Sequence, residues 1–502
     1  MRALGRAAWA GCIGMLAAAA GGGLAAAETL SDAVALAYQT NPTLQSQRAQ
    51  LRATDEEWVQ AEAGLRPTVS VSGSYQYQHE QISVPGFAGS ATIAGPSGTA
   101  VVTVNQPLYT GGAATAKIDA AQADILGGRE GLRRTEISVL QSVVGAYLDV
   151  RRDQEQLAIS QDNVNVLTRQ LEETTAKFSA GVLTRTDVAQ SEARLAQARS
   201  QLAAAQSTLA QARAGYAAVV GQNPGELAPE PPIANLLPPS VDAAFDAAER
   251  DNPQLRQANF TEEASAARLA QAKSQMRPTV SVQGQYGYVG ALSSTGFGAA
   301  ASLLESEVGG VVSANVNVPV FAGGLYASQI RQAAEQDNVN RIGVESARRE
   351  VLQAVSQAWN QLLGARASLA ADEEQVKSDT VAYEGVREEQ RVGLRTILDV
   401  LNAQQELEQS QLALVGARHD EYVAAAAVLA AMGALEAKDL IPNEARYDPK
   451  ANFDRVRHGV GWVPWEGAVG AIDRLAAPRP TPAPPPSPPG DVVKTAAPQG
   501  AP

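Results

Sequence analysis

An α+β chain written twice over is the architecture this sequence predicts, and three observations predict it. Motifs recur at an offset of 211 or 212: Asn41-Pro42 returns as Asn252-Pro253, Arg66-Pro67-Thr68-Val69 as Arg277-Pro278-Thr279-Val280, and Pro107-Leu108-Tyr109-Thr110-Gly111-Gly112 as Pro319-Val320-Phe321-Ala322-Gly323-Gly324. Apolar residues recur every seven positions along two stretches of each copy, as in supercoiled helices. Shorter stretches alternate between apolar and hydroxyl or amide residues, as in two-faced strands. Composition fits a thin molecule: at 5% aromatic residues there are few bulky side chains for a thick core, whereas 45% apolar content is too high for general disorder.

In chain order, residues 1–27 read as a secretory signal peptide, with Arg2 and Arg6 ahead of an apolar run and Ala25-Ala26-Ala27 ahead of Glu28. The single cysteine, Cys12, lies inside it, so the exported chain would carry no thiol. Residues 28–222 form the first repeat, with a helix expected over 30–64 and a strand in which Val69, Val71, Gly73, Tyr75 and Tyr77 alternate with Thr68, Ser70, Ser72, Ser74 and Gln76. A return strand over 100–109, a long helix over 113–178 and a second helix over 187–221 complete it. Residues 223–240, with six prolines, read as a linker. The second repeat, 241–433, carries the same order, including Val280, Val282, Gly284, Tyr286 and Tyr288, a return strand over 311–321 and a long helix over 325–390. Residues 434–476 are an unrepeated extension holding Trp462 and Trp465, which either pack on the helices or bind something, and 477–502 a Pro-rich tail expected to be disordered.

The heptad rows fix the shape. Val143, Val150, Leu157, Val164 and Leu171 form one row of the first long helix, and Val355, Leu362, Leu369 and Val376 its counterpart. At 1.5 Å per residue each long helix would span ~100 Å, and two short helices end to end match it, giving a rod with strands at one end. After the signal no apolar run reaches the ~20 residues a spanning helix needs, so any spanning part must be a β-barrel. Four strands per chain cannot close a barrel, whose practical minimum is about eight strands, so the strands require an oligomer.

Other classes fall away. A net charge of −13 argues against a nucleic-acid partner. His79, His419 and His458 lie on separate segments without metal-ligand spacing, and no Gly-rich phosphate loop is present, so neither an enzyme, a metal site nor a cofactor is expected.

The duplicated strand ends Gln106-Pro107-Leu108-Tyr109-Thr110-Gly111-Gly112 and Val318-Pro319-Val320-Phe321-Ala322-Gly323-Gly324, with the turn Val392-Gly393-Leu394-Arg395-Thr396-Ile397-Leu398-Asp399-Val400-Leu401, resemble the TolC family of outer membrane channel-tunnel proteins over nearly all of residues 29–441. The resemblance implies a homotrimer in which an antiparallel coiled-coil α-helical barrel in the periplasm joins a 12-stranded transmembrane β-barrel in outer membrane lipid. It implies an exit duct fed by a periplasmic adaptor and an inner-membrane ABC or proton-driven transporter, for type I protein secretion or, alternatively, small-molecule efflux. A periplasmic coiled-coil scaffold or adhesin without a pore is the reading from another class. By position, the resemblance places Arg395, Thr186, Asp187 and Gln390 at a periplasmic gate and Asp399 and Asn402 in a pore ring, with Gln390 standing where the family has a tyrosine and Asn402 where it has a second aspartate. It makes the turns at Gly181, Val182, Gly393 and Leu394 adaptor-docking candidates. From the residues alone, Asp187 and Asp399 also fit helix N-caps, the glycines fit turns with positive φ, and Tyr75, Tyr77, Tyr286 and Tyr288 fit either an interfacial girdle or packing between strands.

Overall fold

A computed structural model describes residues 27–83, 90–289, 294–295, 307–440, 447–457, 459, 461–475 and 477. The expected signal peptide up to residue 26, His458 and the Pro-rich tail beyond residue 477 lie outside the described residues. The first copy runs α1 (Leu30–Thr40), α2 (Pro42–Glu62), β1 (Thr68–Ser83), β2 (Ser90–Tyr109), α3 (Ala113–Ser179) and α4 (Arg185–Val220). The second runs α5 (Val241–Asp251), α6 (Pro253–Ser274), β3 (Thr279–Val289), the two-residue β4 (Ser294–Thr295), β5 (Glu307–Asn317), α7 (Leu325–Arg391) and α8 (Ile397–Met432). The extension adds α9 (Ala437–Leu440), α10 (Ala451–Val456) and α11 (Glu466–Leu475).

The single helix expected over 30–64 is two helices, and its copy is split likewise. Pro42 has no N–H to continue α1, and Asn41 caps α2 by accepting from the amides of Thr43 and Leu44. Asn252 does the same ahead of Pro253. Each asparagine also donates from Nδ2 to the last turn of its own copy's closing helix, Asn41 to the Val219 carbonyl at 3.0 Å and Asn252 to that of Ala431 at 2.8 Å. One side chain therefore ends a helix, starts the next and fastens it to a third.

The heptad rows are the packed rows. Val143 and Val150 on α3, Leu195 and Leu209 on α4, Val355 and Leu362 on α7, and Val400 and Leu407 on α8 are all buried. Small buried residues flank them, Ser191 and Ala198 on α4 and Ala403, Ser410, Ala417 and Ala424 on α8, where a large side chain would push the axes apart. The main core forms where α1 and α5 pack on the long helices, gathering Val34, Phe245, Tyr147, Tyr216 and Tyr422. There the Tyr147 hydroxyl donates to the carbonyls of Glu28 and Ala228, and Ile233 is buried, so residues 223–240 are laid against α3 rather than hanging free.

The strands form one antiparallel sheet in the order β1-β2-β3-β5, with β4 paired to β2. β1 and β2 are longer than the alternation alone predicted. β5 is shorter at its end: its pairing finishes at Asn317 opposite Thr279, the first residue of β3, so Val318 to Phe321 meet no partner strand in this chain. Register sets Val69 and Val71 beside Val104 and Val102, Val102 beside Tyr286, and Tyr286 and Tyr288 beside Gly310 and Val308, giving one apolar face across all four long strands. The other face carries Ser70, Ser72, Thr103, Gln283, Gln285, Ser313 and Asn315. Gly287 crosses Val101 so closely that a Cβ there would stand 2.5 Å from the Ala100 carbonyl oxygen, which reserves that position for glycine. Among the described residues no helix is long and apolar enough to cross a membrane.

The extension folds back on the foot of the sheet. Phe453 meets Trp58 edge-on at 5.4 Å between centroids, and Trp465 donates from its indole to Gln106. Trp465 thus touches the sheet through its indole N–H while half of its surface stays exposed. Arg66 donates from Nε to both carboxylate oxygens of Glu466 at 3.1 Å and from Nη2 to Glu62 at 2.7 Å.

Candidate functional site

At the end of the rod opposite the sheet, two hairpin turns are built to one plan. Gly181, at φ 79°, follows α3 and Gly393, at φ 82°, follows α7. The amide of Val182 donates to the Lys177 carbonyl and that of Gly181 to Phe178; the amide of Leu394 donates to Glu389 and that of Gly393 to Gln390. This paired 6→1 and 5→2 closure requires a left-handed residue, so the glycines serve the turn. It also leaves Val182 and Leu394 on the tips, 71% and 75% exposed.

The next helices begin with capping boxes, and they correct one expectation. Thr184 and Thr396 are the N-caps, while Asp187 and Asp399 stand three positions later. Asp187 Oδ2 accepts from Thr184 N at 2.9 Å and Oγ1 at 2.7 Å, and Asp399 Oδ2 from Thr396 N at 2.9 Å and Oγ1 at 2.8 Å. The helix starts two residues earlier than the expected 187 because the threonine, not the aspartate, has extended backbone and covers the N3 amide. Thr184's side chain and backbone donors hold the Asp187 carboxyl below its ordinary range, and Thr396's backbone and side-chain donors do so for Asp399. Both aspartates are thus firmly anionic.

Within the chain, Arg395 does not meet Thr186 or Asp187. Its Nε donates to Glu389 Oε2 at 2.8 Å on the last turn of α7, while Thr186 is exposed on the first turn of α4. Gln390 is half-buried and closes the turn through its carbonyl. Asn402 is bonded laterally instead: Arg194 on α4 donates from Nη2 to Asn402 Oδ1 at 3.0 Å and from Nη1 to Gln405. Leu401 packs with Leu167, Leu195 and Ala198 beside that link, and Gln404 donates to Asn163. Arg194 therefore fastens one hairpin to the other. Its signal in the sequence is an asymmetry, since the matching position of the second copy is Glu406.

At the opposite end, Tyr75, Tyr77, Tyr286 and Tyr288 all lie on the apolar face of the sheet and are exposed. Tyr286 and Val71 flank Val102, and Tyr288 and Gly73 flank Ala100, with Tyr75 and Tyr77 beyond them on β1, so the tyrosines occupy successive rungs that overlap the last valines. Among the described residues no group of His, Cys, Asp and Glu is arranged to hold a metal ion. His79 is exposed on β1, whereas His419 lies between α8 and α3 against Asp149 and Asp420.

The family model for outer membrane efflux proteins matches residues 33–222 and 244–434, well over half of the chain. Outer membrane efflux protein BepC of Brucella suis biovar 1 (strain 1330) is 34% identical over 438 residues, covering 87% of this chain and 92% of that one. Outer membrane protein TolC of Escherichia coli (strain K12) is 26% identical over 439 residues, covering 83% and 85%. The solved Campylobacter jejuni CmeC outer membrane channel superposes with a TM-score of 0.71 at 14% identity over 85% of this chain and 88% of that one, a likeness of fold. The chain belongs to the outer membrane efflux protein family. It is a mostly helical channel-tunnel protein with a small sheet, residing in the outer membrane with its helical part in the periplasm and acting there as an exit duct.

Proposed function

We propose that this duct works as a homotrimer whose four long strands per copy close a 12-stranded barrel, and that it receives cargo through a periplasmic adaptor from an inner-membrane ABC or proton-driven transporter. The observation that carries the trimer is the sheet: an apolar face on one side, hydroxyl and amide side chains on the other, and two edges, β1 and β5, each paired on one side only. Joining β5 of one copy to β1 of the next satisfies both edges by symmetry. The apolar tips Val182 and Leu394, on the turns of Gly181 and Gly393, support adaptor docking. Arg395, Thr186, Asp187 and Gln390 form the periplasmic gate between neighbouring copies, and Asp399 with Asn402 rings the mouth. For a coiled-coil scaffold or adhesin without a pore the apolar sheet face would have no use.

Type I protein secretion is the first cargo reading. The word efflux in the name of BepC, at 34% identity, favours small molecules as the second. The test of the duct is extraction of the mature protein from outer membranes in detergent, followed by native mass measurement and planar-bilayer recording. Three copies per particle and ohmic channels are expected; a monomer in the soluble periplasmic fraction overturns the reading. Deleting the gene and following both a secreted polypeptide and accumulation of a fluorescent dye separates the two cargoes.

A further inference from the structure

The C-terminal helix α11 has two faces, and only one is used by the protein. Glu466, Val469 and Asp473 face inward: Glu466 binds Arg66, Val469 packs with Trp58 and Leu65, and Asp473 is fully buried. Asp473 Oδ1 accepts from the amides of Thr110 at 2.7 Å and Gly112 at 3.1 Å, and Oδ2 from the amide of Thr115 at 3.3 Å, so it caps α3, whose own N-cap is a glycine. About a quarter turn round the helix, Trp465, Ala468, Ile472 and Leu475 form a second stripe at spacings of three and four, and it is solvent-exposed, Leu475 to 86%. Trp462, 59% exposed, stands just ahead of it.

The stripe does not end in water on its sheet side. Gln106, which bonds the Trp465 indole at 3.1 Å, is on β2 two residues after Val104 and four after Val102, and therefore on the sheet's apolar face, at its helical end. Trp465 thus continues the apolar column downward from the strands. Arg457 and Arg474 border the same cavity of about 590 Å³ as Trp462, which puts cations beside that tryptophan. A tryptophan-bearing apolar stripe continuous with a lipid-facing sheet, with arginines around a second tryptophan just ahead of it, is the pattern of a helix lying in a bilayer interface.

We propose that residues 462–475 form an interfacial anchor seated in the phospholipid leaflet on the periplasmic side of the outer membrane, held to the channel by Asp473 and Glu466. The occupant of the stripe is phospholipid, with acyl chains against Trp465, Ile472 and Leu475 and phosphate near Arg457 and Arg474. This rests on the reading of the sheet as part of a membrane barrel.

The sequence has one cysteine, inside the expected signal peptide, so single cysteines can be placed at will. Full-length channels carrying Ile472→Cys, Val71→Cys on the sheet face or Val392→Cys on a hairpin tip are labelled with an environment-sensitive fluorophore. They are then reconstituted into phospholipid vesicles with and without brominated acyl chains. The expected result is loss of fluorescence in brominated vesicles at Val71 and Ile472 and none at Val392. Quenching at Val71 without quenching at Ile472 overturns the anchor and leaves the barrel standing, and the same holds if the Ile472 label is blue-shifted yet unquenched, because protein then covers the stripe. No quenching at Val71 overturns the barrel reading itself. Ala468→Cys on the same stripe replaces Ile472→Cys if that variant fails to assemble.

Discussion

The two copies enter their long helices through the same Gly-Gly turn, yet one entrance is finished and the other is bare. Gly112 and Gly324 have nearly the same backbone, φ 87° and 86°, and as glycines neither N-cap offers its helix a side chain. At the first, Asp473 supplies the cap, and the Thr110 and Thr115 hydroxyls join it. At the second, Ala322 and Ala327 occupy the threonine positions, and Val320 and Phe321 are 91% and 88% exposed. β2 is paired on both sides and β5 on one, which matches the same division. The shared Gly-Gly pair thus gives nearly the same backbone, while what completes the turn comes from elsewhere: the extension in one copy and, on the trimer reading, the neighbouring copy in the other.

The largest expected effect breaks the unfinished side. Phe321→Asp places a charge where the next copy is to pack, forfeiting about 2 kcal/mol of apolar burial per site and adding desolvation of a carboxylate at three symmetric sites. Native mass measurement should then find monomers with helical circular dichroism retained. Persistence of trimers would mean that the bare entrance faces lipid or water and that the comparison is only one of exposure.

Next in size is the finished side. Asp473→Ala leaves the Thr110, Gly112 and Thr115 amides and the Thr110 hydroxyl without their acceptor, a cost of about 1–3 kcal/mol, with lower thermal stability and faster proteolysis between 447 and 465. Thr396→Ala, which removes an exposed cap, should cost about 1 kcal/mol at most. Equal effects would remove the special standing of the extension.

Much of this was legible in the sequence. The heptad rows and the strand alternation name the buried seams and the two sheet faces because each is a repeating pattern, so single exceptions such as Val101 do not hide it. The turn glycines were legible because φ near 80° admits little else. The helix break at Asn41-Pro42 carried a signal, an N-cap type before a proline, that the longer apolar pattern masked. Asp473 carried none, since one aspartate reaching across 358 residues to Thr115 leaves no period to read. Arg194 is hidden for a related reason: a repeat at a fixed offset displays what the copies share, and the link between hairpins depends on where they differ.

A pH effect separates the extension from the repeats. Burial first, then the neighbouring Glu466 carboxylate, pushes the Glu62 carboxyl up to about 7 against the pull of Arg66. The folded cluster therefore keeps a proton that the unfolded chain, at 4.5, gives up. Stability from this group is fully present below pH 4.5 and is lost as the pH rises through about 7. Thermal unfolding should show a melting temperature that falls between pH 5 and pH 8 in the wild type and falls less in Glu62→Gln. An unchanged slope would place the titration elsewhere.

The smallest effects are expected at the mouth, where the two copies are most alike. Arg395 is exposed and Asp399 partly so, and within the chain each already has a partner, Glu389 and Thr396. For Arg395 to link neighbouring copies through Thr186 or Asp187 it must trade one exposed carboxylate for another, and an exposed pair is worth only ~0–1 kcal/mol. Three such trades act on one opening equilibrium, so Arg395→Ser should raise channel conductance several-fold at most. Asp399→Asn acts on the field rather than the closure: on the reading of a trimer with Asp399 in its pore ring, it removes three carboxylates and should lower cation preference and divalent block. The neutral amide oxygen also accepts more weakly than the carboxylate in the capping box, so Asp187→Asn is the control, making the matching change in the first copy. Planar-bilayer recording at matched salt distinguishes the two copies directly. If Asp187→Asn and Asp399→Asn change selectivity equally, the two turns are equivalent and both aspartates face the pore. Loss of selectivity in Asp399→Asn alone makes the second copy the one that lines the mouth. No change in either variant, with unchanged conductance in Arg395→Ser, reduces all three residues to formers of turns and caps.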